Sequence, residues 1–317
     1  MKKPILPLLL ILCMPLMGQD EPTELDLKAL TELKKAAESG DPLAQKSLGV
    51  MYIAGSMRTE GHKWISKAAE QDDPEAQSLL GSILLTGIGI KQDFVAAHRW
   101  IRKAADQNYV HAQNNLGAMY AHGVGVQKNT KESAVWFRKA AELGNAPAQN
   151  SLGAYLLQRP KDIKEGRKEA AMWFRKAAEN SSLPAMINLG RMYMMGEGVD
   201  KSEKEGFKWI RKAAELGHHQ EAESRINLSF SSGYGVNEYI PFSQLLLGSL
   251  YERGTGTENN PLLAYAWYDI ATSNGNANAK SNKDSISKKM TLEQITKAEA
   301  LVKEMIKKNP KLIKKKE

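Results

Sequence analysis

Residues 112–144 read AQNNLGAMYAHGVGVQKNTKESAVWFRKAAELG, and this stretch decides the fold. In its first half, Ala112, Leu116 and Tyr120 follow one another at intervals of four residues, as do residues on one face of an α-helix. In its second half, Trp136 has a small residue three positions before it and another four positions after it, which marks a face of a second helix. We therefore predict a helix pair, in which helix A carries the Leu-Gly sequence and helix B carries the tryptophan.

Both signatures recur in phase along the chain, so the sequence is a tandem repeat. The Leu-Gly pairs end at Gly49, Gly81, Gly117, Gly153, Gly190 and Gly248, and the tryptophans are Trp64, Trp100, Trp136, Trp173, Trp209 and Trp267. Successive tryptophans are 36, 36, 37, 36 and 58 residues apart. Because the last interval holds one unit and a short remainder, we predict about seven units over residues 41–275, with the sixth truncated. The superhelix is expected to lose its regularity at residues 236–243.

The residues between the helices support these boundaries. Helix A begins at Asp41-Pro42 and at Asp73-Pro74, where an N-cap acceptor precedes proline at the first helical position. It ends at Gly-x-Gly turns such as Gly123-Val-Gly125, whose glycines can adopt the left-handed conformation that stops a helix. Helix B ends at a glycine or at Asp72 or Asn108. Local signals of each kind thus agree on one all-α architecture.

The repeated glycines and tryptophans are predicted to be structural. The glycine of each Leu-Gly pair removes a side chain and lets helix B approach helix A, and the small residues around each tryptophan form a slot for neighbouring helices. A single helix pair cannot bury its apolar face, so stability comes from stacking. A row of tryptophans can also form an aromatic ligand-binding stripe, but their fixed spacing favours core packing.

The first 18 residues, MKKPILPLLLILCMPLMG, have the pattern of a secretory signal peptide. Two lysines precede a short apolar segment, and Gly18 stands at the expected cleavage point. The segment is too short for a membrane anchor, and a lipoprotein signal would need a small residue where Leu12 precedes Cys13. We expect export to the periplasm or beyond, with cleavage near Gly18 removing the one cysteine. That cysteine count excludes a disulfide framework and a cysteine-based zinc site.

The segments around the array are assigned from their composition and spacing. Residues 19–40 are predicted as an N-terminal capping helix, residues 276–290 as a linker rich in Asn, Ser and Lys, and residues 291–317 as a C-terminal capping helix with a basic tail. Residues 280–317 hold 12 lysines and 5 acidic residues. This tail can contact anionic lipid or cell-wall polymer, but a frayed, solubilising terminus explains it more simply. Export argues against a nucleic-acid partner.

The two phased motifs resemble a known family. Ala112 to Val126, followed by Trp136 to Gly144, resembles a Sel1-like repeat, a relative of the tetratricopeptide class, and the resemblance extends over about residues 40–275. It implies a right-handed α/α solenoid that serves as an adaptor or scaffold for protein partners. Some secreted members are cysteine-rich and have been described as penicillin-binding or β-lactamase-like, but their paired cysteines are absent here.

The sequence offers no catalytic, cofactor-binding or metal-binding residues. Ser285 and Lys288 fit a Ser-x-x-Lys pattern, but no Lys-Thr-Gly accompanies them. His218 and His219 point in different directions, and no third ligand is spaced to join them. The Gly-x-Gly turns follow helices rather than strands, so they are not phosphate-binding loops. No cofactor is expected, and the protein is not predicted to be an enzyme.

A binding site is predicted on the face of helix A opposite Leu and Tyr, the concave surface of a solenoid. Amide side chains there offer both donors and acceptors, which suits the backbone of an extended peptide. The candidate partner-binding residues are Gln113, Asn114, Gln149, Asn150, Asn188 and Arg191. Alternatively, these side chains only solvate an exposed face or link adjacent helices.

The sequence therefore favours an exported, non-catalytic scaffold that binds protein partners of the cell envelope. One alternative is a cell-wall hydrolase or a β-lactam-binding protein. Another is an envelope glycan- or lipid-binding module that uses the basic tail.

Overall fold

The computed structural model describes residues 24–55, 57–158, 163–217 and 236–314. Within these ranges the chain is helical, with a short 3-10 turn at Pro310–Leu312 and no strand. The helices are α1 (Glu24–Glu38), α2 (Pro42–Ala54), α3 (Arg58–Glu70), α4 (Pro74–Thr86), α5 (Phe94–Asp106), α6 (Val110–His122), α7 (Thr130–Glu142), α8 (Ala146–Leu157), α9 (Ile163–Glu179), α10 (Leu183–Met195), α11 (Glu203–Leu216), α12 (Val236–Arg253), α13 (Pro261–Ser273), α14 (Ala277–Ser287) and α15 (Leu292–Lys308).

The described residues fall into two compact units, which divide after Lys139 within α7. In the first unit, α2 packs on α3 and α4 on α5, while α1 covers α2. In the second unit, α8 packs on α9, α10 on α11 and α12 on α13, and α13 also contacts α14 and α15. Helix A of each predicted pair therefore lies against its own helix B, as the phased motifs predict.

The starts of the A helices are fixed by the predicted caps. The Asp41 carboxylate accepts hydrogen bonds from the backbone N–H groups of Leu43 (2.8 Å) and Ala44 (3.0 Å). The Asp73 carboxylate accepts one from Ala76 (2.6 Å). Each cap satisfies N–H groups that the first turn leaves without an intrahelical partner. The predicted positions of the A-helix N-termini are confirmed here.

The glycine of each Leu-Gly pair lies against the residue that follows the tryptophan of the same repeat. A Cβ added at Gly117 would lie 2.7 Å from Cδ1 of Phe137, and one added at Gly153 would lie 2.8 Å from Cε1 of Phe174. Real Cβ atoms do not approach other carbons so closely, so glycine is required for this packing. The residues that fill this space across the repeats are Ile65, Ile101, Phe137, Phe174, Ile210 and Tyr268, all buried.

The two glycines of each Gly-x-Gly turn have different tasks. Gly123 has φ +74° and ends α6 as a left-handed cap. Gly125 has φ +66°, and a Cβ there would overlap the backbone carbonyl of Phe94, in the first turn of α5. The second glycine therefore permits the turn to contact the helix B of the preceding repeat. The same backbone approach occurs between Gly198 and Arg167 and between Gly256 and Glu203.

Residues 276–290 are not a linker, and this prediction from composition is wrong. They contain α14, whose N-terminus is capped by the Asn276 side chain, which accepts a hydrogen bond from Ala279 N (3.0 Å). Ala279 and Ile286 are buried, and they stand seven residues apart, which is two helical turns. Two buried apolar residues on one face thus hold a helix whose other positions, apart from the exposed Ala277, are polar.

Residues 236–243 form the first turns of α12. This helix is 18 residues long and contains Pro241, whereas α2 is 13 residues long and begins at Pro42. Both prolines stand three residues before a glutamine of helix A, Gln244 and Gln45 respectively. The departure from the repeat at this point is therefore an A helix extended at its N-terminus.

The C-terminal residues fold back onto the second unit. α15 begins with a capping box between Thr291 and Gln294, and the chain continues through the 3-10 turn to residue 314. Leu312 in this turn is only 3% exposed. The interpretation of this segment as a frayed terminus is therefore wrong for residues 309–314, which are held by a buried side chain. No helix in the described part of the chain is long and apolar enough to cross a membrane.

Candidate protein-interaction surface

The six predicted partner-binding residues separate into a buried group and an accessible group. Gln113, Asn114, Gln149 and Asn150 are all buried, whereas Asn188 is half-buried and Arg191 is exposed. The expectation of a continuous exposed amide face on the A helices is therefore corrected. Four of the six side chains are packed inside the protein rather than presented to solvent.

Gln113 and Gln149 link their helix to the preceding helix B. Gln149 Nε2 donates to the carbonyl of Ala141 (3.1 Å), and Gln113 Nε2 donates to that of Ala105 (3.5 Å). Each carbonyl also accepts from a backbone N–H of the turn, Gly144 (3.0 Å) and Asn108 (3.0 Å) respectively, so the glutamine amide occupies the second acceptor position of the oxygen. The glutamines at this register, Gln45, Gln77, Gln113, Gln149 and Gln244, are called the glutamine row below.

A second amide completes the link in three repeats. The residue seven positions after the tryptophan donates to the side-chain oxygen of the row: Gln71 to Gln45 (2.8 Å), Gln107 to Gln77 (3.0 Å) and Asn274 to Gln244 (2.8 Å). Gln45 and Gln77 thus join their helix A both to the preceding helix and to the helix B of their own repeat. Linkage of adjacent helices, which the sequence left open, is the observed role of these glutamines.

The two asparagines beside the row lie one position further along helix A. Asn188 Nδ2 on α10 donates to Asn150 Oδ1 on α8 (3.1 Å), so this pair joins consecutive A helices of the second unit. Asn114 Oδ1 is buried and has no hydrogen-bond partner in the described structure. Asn188 still reaches the surface.

The accessible residues of α10 form one stripe. Asn188, Arg191 and Met195 are spaced by three and four residues, so they share a helix face. Arg191 is exposed, and Met195 is 59% exposed. In other A helices the residue at the Arg191 register is short: Val50, Ser82, Ala118, Ala154 and Ser249. The α10 stripe therefore combines a cation, an amide and an exposed thioether. In those other repeats the position of Arg191 holds only a short side chain.

The tryptophans differ in burial. Trp136, Trp173 and Trp267 are buried, as core packing predicts, whereas Trp64, Trp100 and Trp209 are half-buried. Trp136 Nε1 donates to Glu132 on its own helix (3.2 Å). In five repeats a lysine three residues later places its Nζ 4.1 to 5.1 Å from the ring centroid, which covers one face of the indole. In these five repeats one face of each indole is therefore covered by its own helix rather than open to a ligand.

Arginine–tyrosine pairs between successive repeats were not predicted. Arg102 Nη1 donates to Tyr120 Oη (3.3 Å), and its guanidinium lies 5.3 Å from the Trp136 ring centroid. In the second unit Arg175 donates to Tyr193 and lies 5.6 Å from its ring centroid. The sequence signal is the arginine two residues after tryptophan, present as Arg102, Arg138, Arg175 and Arg211.

The first unit also contains a charged network at the start of α4. Lys46 is buried, and its Nζ lies 2.6 Å from Glu75 and 3.3 Å from Asp73. Burial raises the pKa of Tyr109 to about 12, and the negative charges of Glu75 and Asp73 add to this effect. This cluster is an ion pair with a neutral phenol beside it, a structural arrangement with no nucleophile.

Two other sequence features bear on metal binding and catalysis: the His218-His219 pair and the Ser-x-x-Lys pattern of Ser285 and Lys288. No group of three or more His, Cys, Asp or Glu residues in the described ranges is arranged to hold a metal ion. His218 and His219 lie outside the described residues. Ser285 and Lys288 are both exposed, at the end of α14.

Comparison with known proteins identifies the repeat. The Sel1 repeat model matches residues 42–73, 74–109, 110–145, 146–182, 183–218 and 241–276. The chain belongs to the Sel1 repeat family. The gap at residues 219–240 is where the truncated sixth unit is predicted, and most of it lies outside the described residues. The Sel1 repeats therefore cover about two thirds of the chain.

Two solved Sel1 repeat structures resemble this one. The first is c5321, described as a protective antigen present in uropathogenic Escherichia coli strains displaying an SLR fold. It is 32% identical with a TM-score of 0.79, and the match covers 98% of this chain but 62% of that chain. The second is a Sel1 repeat protein from Oxalobacter formigenes, 28% identical with a TM-score of 0.60, covering 74% of this chain and 87% of that one. No curated protein sequence matches this chain.

These comparisons confirm the predicted fold class, the all-α solenoid of Sel1 repeats. Sel1 repeats generally mediate protein–protein interaction, and the fold is generally a non-catalytic scaffold. Membership of the family does not specify a partner, so the side chains of this chain are what distinguish one candidate contact surface from another.

Proposed function

We propose that this Sel1 repeat protein is an exported scaffold that binds protein partners of the cell envelope, and that the α10 stripe is part of its contact surface. Export is supported by the signal-peptide pattern of residues 1–18. The scaffold role is supported by the family and by a described structure that consists of stacked helices.

The accessibility of the stripe is the observation that carries the site. Of the six residues predicted to bind a partner, Asn188 and Arg191 are the two that reach the surface, and both belong to this stripe. Arginine and methionine are enriched at protein interfaces, because a planar cation and a flexible thioether adapt to varied partner surfaces. Arg191 accordingly favours a partner that offers a carboxylate or a carbonyl group.

The test uses residues 19–317 as bait against an envelope extract, with crosslinking and mass spectrometry. We expect a stoichiometric protein partner whose crosslinks map to residues near α10. Arg191→Glu should lower the affinity for that purified partner at least tenfold, or about 1.4 kcal/mol.

Lys204→Glu is the matched control, since Lys204 is also exposed and the change in charge is the same. It should leave the affinity unchanged. A partner that binds Arg191→Glu as tightly as the wild type would remove the α10 stripe from the proposal. Retention on purified cell wall or lipid without any protein partner would overturn the scaffold role.

A further inference from the structure

The C-terminal segment, residues 309–314, occupies a groove of the second unit. The groove is bounded by the C-terminal end of α11, the middle of α12 and the C-terminal end of α13. Asn309 Nδ2 donates to the carbonyl of Glu215 (2.8 Å), and Leu312 is buried. At Gly217, with φ +64°, an added Cβ would lie 2.7 Å from the backbone carbon of Lys311, so the segment contacts backbone directly there.

The groove holds this segment through the glutamine row. Gln244 Nε2 donates to the carbonyl of Leu312 (3.0 Å), 68 residues away in sequence. In the other repeats the row donates to an alanine carbonyl eight residues earlier, in the preceding helix B. The Leu312 carbonyl thus takes the place that a helix carbonyl has elsewhere, so one acceptor position of the array accommodates either a helix end or a separate peptide segment.

Asn274 recognises the backbone of the segment from both sides. Its Nδ2 donates to the carbonyl of Leu312 (2.7 Å), and its Oδ1 accepts from the backbone N–H of Lys314 (2.9 Å). Both contacts are to backbone groups, two residues apart, so the Asn274 amide recognises the main chain of the segment rather than its sequence. The one side chain of the segment that is buried is Leu312, whereas Lys311 and Lys314 are exposed. Side-chain recognition therefore centres on Leu312, and the Asn309 amide adds a second contact.

We propose that this groove is a peptide-binding site whose resident ligand is the chain's own C-terminal segment. The ligand class is a short peptide that forms a turn like Pro310–Leu312 and places one leucine-sized aliphatic side chain in the Leu312 position. A segment held by one buried side chain and a few hydrogen bonds gains little over the entropy of ordering six residues. A partner peptide of the same class therefore enters by displacing it. The site is separate from the α10 stripe and stands on its own contacts.

The experiment uses the full chain with Cys13→Ser and Lys314→Cys, labelled at position 314 with a nitroxide. The probe is a synthetic peptide of residues 307–317. We expect the nitroxide to be immobilised in the free protein and to become mobile, saturably, as the peptide is added. The same peptide carrying Leu312→Ser should need at least tenfold higher concentration.

A complementary measurement uses the full chain with Leu312→Ser, which weakens the resident segment. It should bind fluorescently labelled wild-type peptide at least tenfold more tightly than the wild-type chain does. The proposal is overturned by a nitroxide that is mobile before any peptide is added, or by a serine peptide that displaces as well as the leucine peptide. It is equally overturned when only anionic phosphatidylglycerol vesicles mobilise the label, since the exposed lysines would then be the recognised feature. An immobilised label in a chain that sediments as a dimer would assign the segment to a second copy and overturn the resident role.

Discussion

The two glycines of the Gly123-Val-Gly125 turn give the sharpest test of the packing. Both have positive φ, 74° and 66°, so alanine at either position carries the cost of a left-handed backbone, about 1–2 kcal/mol. Their surroundings differ. A Cβ at Gly123 would lie 3.2 Å from the Lys128 Cβ and 3.3 Å from the Lys128 backbone nitrogen, which a shift of a few tenths of an ångström relieves. A Cβ at Gly125 would overlap the Phe94 carbonyl and lie 2.5 Å from its carbon.

The difference between the two variants therefore measures the contact between successive repeats. Gly123→Ala should lower the free energy of unfolding by the backbone term alone, about 1–2 kcal/mol. Gly125→Ala must also displace the first turn of α5, and such overpacking adds about 1–3 kcal/mol, for a total of about 2–5 kcal/mol. Asparagine tolerates the left-handed region, so Gly123→Asn should recover most of the loss and Gly125→Asn should not.

The assay is equilibrium unfolding in urea, followed by far-UV circular dichroism and by tryptophan fluorescence. The four variants are compared with the wild type under one set of conditions. Equal losses for Gly123→Ala and Gly125→Ala would refute the proposed contact between the turn and α5. A full rescue of position 125 by asparagine would refute it as well, because the added Cβ remains.

Two further perturbations test the core and the charged network. Trp136→Ala removes a buried indole and should lower the free energy of unfolding by about 3–5 kcal/mol. The control Val135→Ala changes a neighbouring side chain that is 49% exposed, and its free energy of unfolding should stay within about 0.5 kcal/mol of the wild type. An unchanged melting temperature for Trp136→Ala would contradict the packing role. Tyr109→Phe tests the raised pKa. The folded-state pKa of about 12 lies above the unfolded value of about 10, so the neutral phenol contributes stability that is complete below pH 10 and is lost as the pH rises through 12. The phenylalanine variant does not titrate, so its stability relative to the wild type should rise between pH 10 and pH 12, and a constant difference would contradict the pKa.

The repeat architecture was predictable because its determinants are local. The N-cap of Asp73, the left-handed Gly123 and the Leu-Gly contact each depend on a few residues in one repeat, and repetition makes the signal visible. The sequence also indicated correctly that the residues around the tryptophans pack in the interior.

Other features depended on packing between distant residues. Gln113 and Asn150 look like surface residues by type, but contacts with residues of neighbouring helices bury them, and residue type does not reveal those contacts. The helix at 277–287 was missed because two apolar residues, Ala279 and Ile286, sit among polar ones. Docking of Leu312 on Gln244 joins residues 68 positions apart, which no local pattern encodes.

The second glycine of each described Gly-x-Gly turn contacts the main chain of the helix B of the preceding repeat. The residues it approaches are Arg58, Phe94, Arg167 and Glu203, and the backbone of each takes part in the contact. The contact between successive repeats therefore does not depend on the side chain of the residue that the glycine approaches. Helix B can carry different side chains at this position, so the surface can vary from repeat to repeat while the backbone contact is kept.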